Sequence, residues 1–166
     1  MLLYPKEYIN SVKDITIEFI EKNNLKGLIL DVDNTLIDYY KKMPDGIAEW
    51  VEELKKHGVK FYILSNSNKR EKVENVAKKI NVEYIFFAKK PFKTGFLKIK
   101  KLMNLQNENI GVVGDQILTD VLGANRCKMF SILVKPINEK DIFVTKFNRF
   151  FERIVLKRYL KNKNNK

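Results

Sequence analysis

An α/β fold is predicted: a Rossmann-like parallel sheet with helices on both faces. Two observations carry that reading. Short β-rich runs alternate with longer stretches of helical spacing, and the runs are apolar almost without interruption. Continuous apolar runs fit strands buried on both faces, the condition of a parallel sheet. Regular β–α alternation fits the crossovers that join such strands.

The elements follow in order. Residues 6–24 read as a leading helix with Tyr8, Ile9, Val12, Ile15, Phe19 and Ile20 apolar. Strands are expected at 28–32, 60–64, 84–87, 110–113 and 130–134, and helices at 44–57, 69–80, 94–103 and 118–126. In the first of these helices Ile47, Trp50, Val51 and Leu54 fall at i, i+3, i+4, i+7, which is one face. Gly58 after His57 supplies the left-handed residue that ends it. Residues 146–166 form a basic tail in which eight Lys or Arg face one Glu, +7 of the chain's +12. There Phe147, Phe150, Phe151, Ile154, Val155 and Tyr159 keep helical spacing, beside a stripe of Arg149, Arg153 and Lys157.

Composition narrows the class. At 166 residues, 45% hydrophobic and 31% charged, the chain can bury a core and is expected to be one domain over 1–166. A single cysteine, Cys127, excludes a disulfide framework and fits a reducing compartment. Pro5 and Glu7 break any signal segment, and the longest apolar run is the five residues 84–88, against ~20 for a membrane span. The expected location is therefore cytoplasmic, or peripheral at the inner face of the membrane. The positive balance favours an anionic partner.

The chemistry is written at the strand ends. LILDVDNTL delivers Asp31 and Asp33 to the carboxyl end of a buried strand, where open α/β sheets bind ligands. Two close carboxylates need a cation, and oxygen ligands favour Mg²⁺. A calcium loop does not fit, because its sixth position is Leu36 and its twelfth Lys42. FYIL runs into Ser65 and Asn66, a hydroxyl and an amide at the same edge. AKKPF brings Lys90 before Pro91, and IGVVG runs into Asp115, with Asp120 five residues on. Together these groups suit phosphoryl transfer to a carboxylate. Asp31 attacks phosphorus, Asp33 serves as acid and base, Ser65 and Lys90 hold phosphoryl oxygens, and Asp31 with Asp115 holds Mg²⁺.

DVDNTL, LSN, the Lys90-Pro91 pair and GDQILTD resemble the four motifs of the haloacid dehalogenase-like (HAD) phosphatase superfamily. The DNTL ending, KPF and GDQxxTD resemble its YqeG-like IIIA branch, related to mitochondrial phosphatidylglycerophosphate phosphatase. The resemblance covers nearly the whole chain. It implies Mg²⁺ bound by Asp31, the backbone carbonyl of Asp33, and Asp115, with Thr35 and Asp120 supporting. It also implies Ser65, Asn66 and Lys90 against substrate. Each interval from Asp33 to Ser65 and from Ser65 to Lys90 holds one helix and one strand, leaving no room for a cap domain. An open site suits a substrate whose bulk stays outside, with phosphatidylglycerophosphate the leading expectation.

Rival readings are a phosphatase of nucleotides, sugar phosphates or nucleic-acid ends, and a binding or assembly protein that retains the motifs. A phosphoacceptor receiver domain would place its acceptor on a middle strand and leave Asp33 without a task. The tail packs Phe147, Phe151 and Ile154 on the sheet, docks on anionic lipid, or contacts the phosphate backbone of a nucleic acid, although it carries no clear nucleic-acid motif. His57 reads as a helix cap, with Trp50 and Cys127 as packing.

Overall fold

The computed structural model describes residues 1–138 and 146–164, with backbone alone for 146–149 and 164. Strands β1 (Glu7–Ile9), β2 (Gly27–Leu30), β3 (Lys60–Leu64), β4 (Glu83–Ile85), β5 (Ile110–Gly114) and β6 (Phe130–Val134) form one sheet of order β1-β6-β5-β2-β3-β4. Every pairing is parallel. The α-helices among the described residues are α1 (Ile17–Lys22), α2 (Ile47–Lys56), α3 (Arg70–Ile80), α4 (Lys93–Met103), α5 (Leu122–Arg126) and α6 (Lys146–Asn164).

The period-two alternation of β2 explains the layers. Leu28 and Leu30 face one core with Trp50, Val51 and Leu54 of α2 and Val73, Val76 and Ile80 of α3. Ile29 faces the other, with Phe96, Ile99 and Met103 of α4 and Ala124 of α5. Each such side chain is worth ~1.5–3 kcal/mol when fully buried. Trp50 packs edge-on against Phe61 at 5.6 Å and donates its indole N–H to Ile15 O at 2.9 Å. Cys127 is buried in the second core, and His57 caps α2 with Nδ1 3.0 Å from Glu53 O.

The expected leading helix over 6–24 is not formed. Glu7–Ile9 pair in parallel with Ile132–Val134, flanked by Lys6 N–H to Ser131 O and Lys135 N–H to Ile9 O, each 2.9 Å. Ser11 then opens a 3₁₀ turn at Val12–Asp14 with a capping box, and Thr16 caps α1 by accepting from Phe19 N–H at 3.3 Å. Two caps in six residues divide what the apolar spacing joined, and the open edge of β6 gains backbone partners from the segment before them.

The expected helix over 118–126 is likewise divided. Ile117–Val121 is a π turn, and only then does α5 begin.

The tail is helical as expected, but the predicted packing face is not the buried one. Val155 and Tyr159 are buried, whereas Phe150, Phe151 and Ile154 are exposed. The side chains of Phe147 and Arg149 lie outside the described residues.

Candidate active site

Asp31 stands one residue past β2, its N–H still donating to Val113 O at 2.9 Å, so the sheet ladder carries it to the carboxyl edge. Ser65 is placed the same way past β3, donating its N–H to Ile85 O at 2.9 Å. Asp115 follows β5 directly. Neighbouring parallel strands thus set Ser65, Asp31 and Asp115 side by side on one edge.

Lys90 reaches the same place from the β4–α4 connection. Its backbone is held twice by Asn66, whose Oδ1 accepts from Lys90 N–H at 2.6 Å while Nδ2 donates to Lys90 O at 3.0 Å. Asn66 was expected against substrate; here both of its amide atoms position Lys90. The ammonium donates to Asp31 Oδ1 at 2.7 Å and to Asp120 Oδ1 at 2.6 Å, all three groups buried. Lys89, its neighbour, is exposed and lies 5.1 Å over the Phe87 ring.

Asp120 owes its position to two local features. The π turn lets Gln116 N–H donate to Asp120 Oδ2 at 3.2 Å while Asp120 N–H returns to Gln116 O at 3.0 Å. Gly114 supplies the space, since a Cβ there would overlap the Asp120 carboxylate. Asp31, Asp115 and Asp120 each offer an oxygen within 4.8 Å of the others, so the acidic cluster includes Asp120.

The Asp33 side chain stands apart from that cluster. Strand β2 ends at Leu30 and Asn34 takes a left-handed φ of +58°, so the pleat does not continue through the D-x-D segment. Asp33 is 46% exposed and pairs with Lys72 of α3 at 2.5 Å. Sequence reading missed Lys72, because only the docking of α3 brings a helix lysine to this loop.

Electrostatics mark the cluster as a cation site. Burial, only partly offset by Lys90 and reinforced by Asp120, pushes Asp31 up to about 7. Burial together with the charges of Asp31 and Asp120 holds Asp115 well above the ordinary carboxylate range. Burial would lower Lys90, but Asp120 and Asp31 outweigh it and hold the ammonium above its usual value. One ammonium faces three carboxylates, and Asp115 Oδ1 is buried without a hydrogen-bond partner among the described residues. A hard divalent cation answers both the surplus charge and the orphaned oxygen. Among the described residues, buried Thr35 Oγ1 and Asn34 Oδ1 also lack partners, leaving the loop with spare polar capacity beside the acids.

A cavity of about 230 Å³ opens next to the cluster, lined by Asp33, Asp115, Gln116 and Ile117 and, from α6, by Glu152, Arg153 and Leu156. The basic stripe of the tail therefore does not lie wholly outside the site.

A D-x-D loop after the central strand thus meets a hydroxyl, a buried lysine and a third acid at adjacent strand ends, and by its relatives the chain that carries them is a HAD-type phosphatase, a phosphoric monoester hydrolase. More narrowly, the chain belongs to the family described as mitochondrial PGP phosphatase, whose model matches residues 1–137. It is 40% identical over 153 residues to "Probable phosphatase YqeG" of Bacillus subtilis (strain 168), covering 92% of this chain and 88% of that protein. It is 26% identical over 170 residues to "Phosphatidylglycerophosphate phosphatase 1, chloroplastic/mitochondrial" of Arabidopsis thaliana, covering 91% of this chain and 47% of that longer protein. Among solved structures it shares its fold with the cobalt-bound deoxy-D-mannose-octulosonate 8-phosphate phosphatase of Haemophilus influenzae, at TM-score 0.58, 16% identity and 74% coverage of each chain.

Proposed function

We propose that the chain is a Mg²⁺-dependent phosphomonoesterase working through an aspartyl-phosphate on Asp31, with a phosphatidylglycerophosphate-like lipid phosphate as substrate. The observation that carries this reading is the buried Asp31–Lys90–Asp120 chain beside the orphaned Asp115 oxygen. Asp31 is the nucleophile, a carboxylate fixed by backbone and ammonium at the edge of the central strand. Its attack on phosphorus forms the O–P bond as the ester P–O bond breaks, and Asp33 donates the proton taken by the leaving oxygen. Asp33 then takes a proton from water, which attacks phosphorus, frees phosphate and restores the Asp31 carboxylate. Lys90 matches charge on the phosphoryl oxygens, and Ser65 would donate to one of them. Asp31 and Asp115, with the backbone carbonyl of Asp33, would hold Mg²⁺, which would offset repulsion between nucleophile and phosphate.

The family supports a lipid phosphate as substrate, and the exposed cations and aromatics of α6 support peripheral contact with anionic lipid. Among the described residues no helix is long and apolar enough to cross a membrane. The test is a panel of lipid, nucleotide and sugar phosphates with Mg²⁺ or chelator. Turnover is expected with Mg²⁺ alone, greatest on the lipid phosphate, and Asp31→Asn should lower it by at least about 10³-fold. Full turnover by purified Asp31→Asn would rule out the covalent route, and full turnover in chelator the metal.

A further inference from the structure

We infer that Arg153 of α6 determines substrate specificity by holding a second anionic group, joined to the reacting phosphate by a short linker. The inference rests on the phosphomonoesterase reading and deepens it. The cavity has the shape such a substrate needs. Asp33 and Asp115 stand where the phosphoryl group reacts, Ile117 and Leu133 form an apolar wall, and Arg153 with Leu156 lines the α6 side. With a volume of about 230 Å³, the cavity has room for a glycerol-sized linker and one anionic group.

Arg153 is presented by an anchored helix. Leu118 N–H donates to Glu152 Oε1 at 3.2 Å, fixing the turn that carries Arg153. Val155 and Tyr159, two and six residues further on, are buried, with Tyr159 edge-on to Tyr4 at 5.8 Å. Lys163 pairs with Glu7 of β1 at 2.9 Å. Arg153 itself forms no ion pair among the described residues, although acidic side chains share its cavity. A guanidinium fork suits a phosphodiester or a carboxylate through paired N–H donors. The reacting phosphate has its own cation in Lys90, which is not part of the cavity lining, so the anchored Arg153, with Lys135 also on the cavity wall, has a different anion to meet.

The test uses the full chain with Mg²⁺ and three esters. Glycerol 3-phosphate has one anionic group, glycerophosphoglycerol phosphate adds a phosphodiester, and 3-phosphoglycerate adds a carboxylate. The wild type should favour at least one two-anion ester over glycerol 3-phosphate by tenfold or more in kcat/KM. Arg153→Gln should collapse that ratio through KM, and Arg153→Lys should restore part of it. The ester whose advantage collapses identifies the second anion. A separate calorimetric titration uses glycerophosphoglycerol and glycerate, which carry the second anion without a phosphomonoester. At least one should bind saturably, more weakly at high salt, and tenfold more weakly to Arg153→Gln. Arg153-dependent binding without hydrolysis of any ester would sink the phosphatase reading and spare the subsite. Hydrolysis with an unchanged substrate ratio and no binding of either probe would overturn the subsite and spare the phosphatase.

Discussion

Burial and mutual repulsion among three carboxylates beside one ammonium make Asp31 and Asp115 give up their protons less readily than in water. Both folded-state values lie above the unfolded ones, so the stability these groups contribute is complete at low pH and lost as pH rises. For Asp31 that loss runs from its ordinary 3.8 to about 7. Without metal, the melting temperature should therefore fall between pH 5 and pH 7.5, and Mg²⁺ should remove most of the fall. Asp115→Asn removes a carboxyl that can ionise only against burial and the charges of Asp31 and Asp120. It should raise the metal-free melting temperature by a few degrees, given roughly 2–4 °C per kcal/mol for a chain of this size, and abolish the response to Mg²⁺. A lower metal-free melting temperature for Asp115→Asn, measured by calorimetry in chelator, would contradict this electrostatic picture. Lys72 poses a milder question. Its partner Asp33 is half exposed, and such pairs contribute ~0–1 kcal/mol. Lys72→Met should leave the melting temperature within about 3 °C yet lower kcat several-fold, because it releases the carboxylate that moves the proton.

What the sequence reveals depends on how each element is held. The central strands are readable because a strand buried on both faces must be apolar throughout, and an acid immediately beyond it then stands out. That logic locates Asp31, Ser65 and Asp115, and it aligns β3 and β6 residue for residue with expectation. Edge strand β1 escapes it, being three half-buried residues defined by their backbone partners on β6. Its neighbours did carry a signal in the Ser11–Asp14 capping box, which helical spacing alone conceals. The π turn escapes for another reason: its purpose is to aim Asp120 at Lys90, and that need exists only once the sheet has assembled. Gly114 belongs to the same device. Gly114→Ala should push Asp120 away from Lys90, destabilise the fold by ~1–3 kcal/mol and lower activity at least tenfold. An unchanged melting temperature and rate would show that Asp120 is free to move aside.

Because all six strands run parallel, the connections that follow them leave from the edge that carries Asp31. Exposed aromatics gather in those connections: Tyr39 and Tyr40 after β2, and Phe87 and Phe92 after β4. Lys41, Lys42 and Lys89 are exposed among them. Helix α6, which lines the cavity beside Asp33, adds Phe150 at 66% exposure, with Phe151 and Ile154, next to Lys157, Arg158 and Lys161. Aromatics interleaved with cations are the composition of a surface that meets anionic headgroups, each basic residue near the surface being worth ~1 kcal/mol. The buried Val155–Tyr159 face anchors the helix, so the exposed face is left for this contact. Sedimentation with vesicles should show binding to anionic but not neutral lipid, weakening as salt rises because screening shortens to ~8 Å at physiological ionic strength. Changing Lys157, Arg158 and Lys161 together to Gln should remove ~3 kcal/mol of attraction, on the order of 100-fold in partition. The same triple variant should hydrolyse a lipid phosphate in vesicles more slowly, through weaker partition. Equal binding to neutral and anionic vesicles, or to neither, would leave α6 as a wall of the cavity with no role at a membrane.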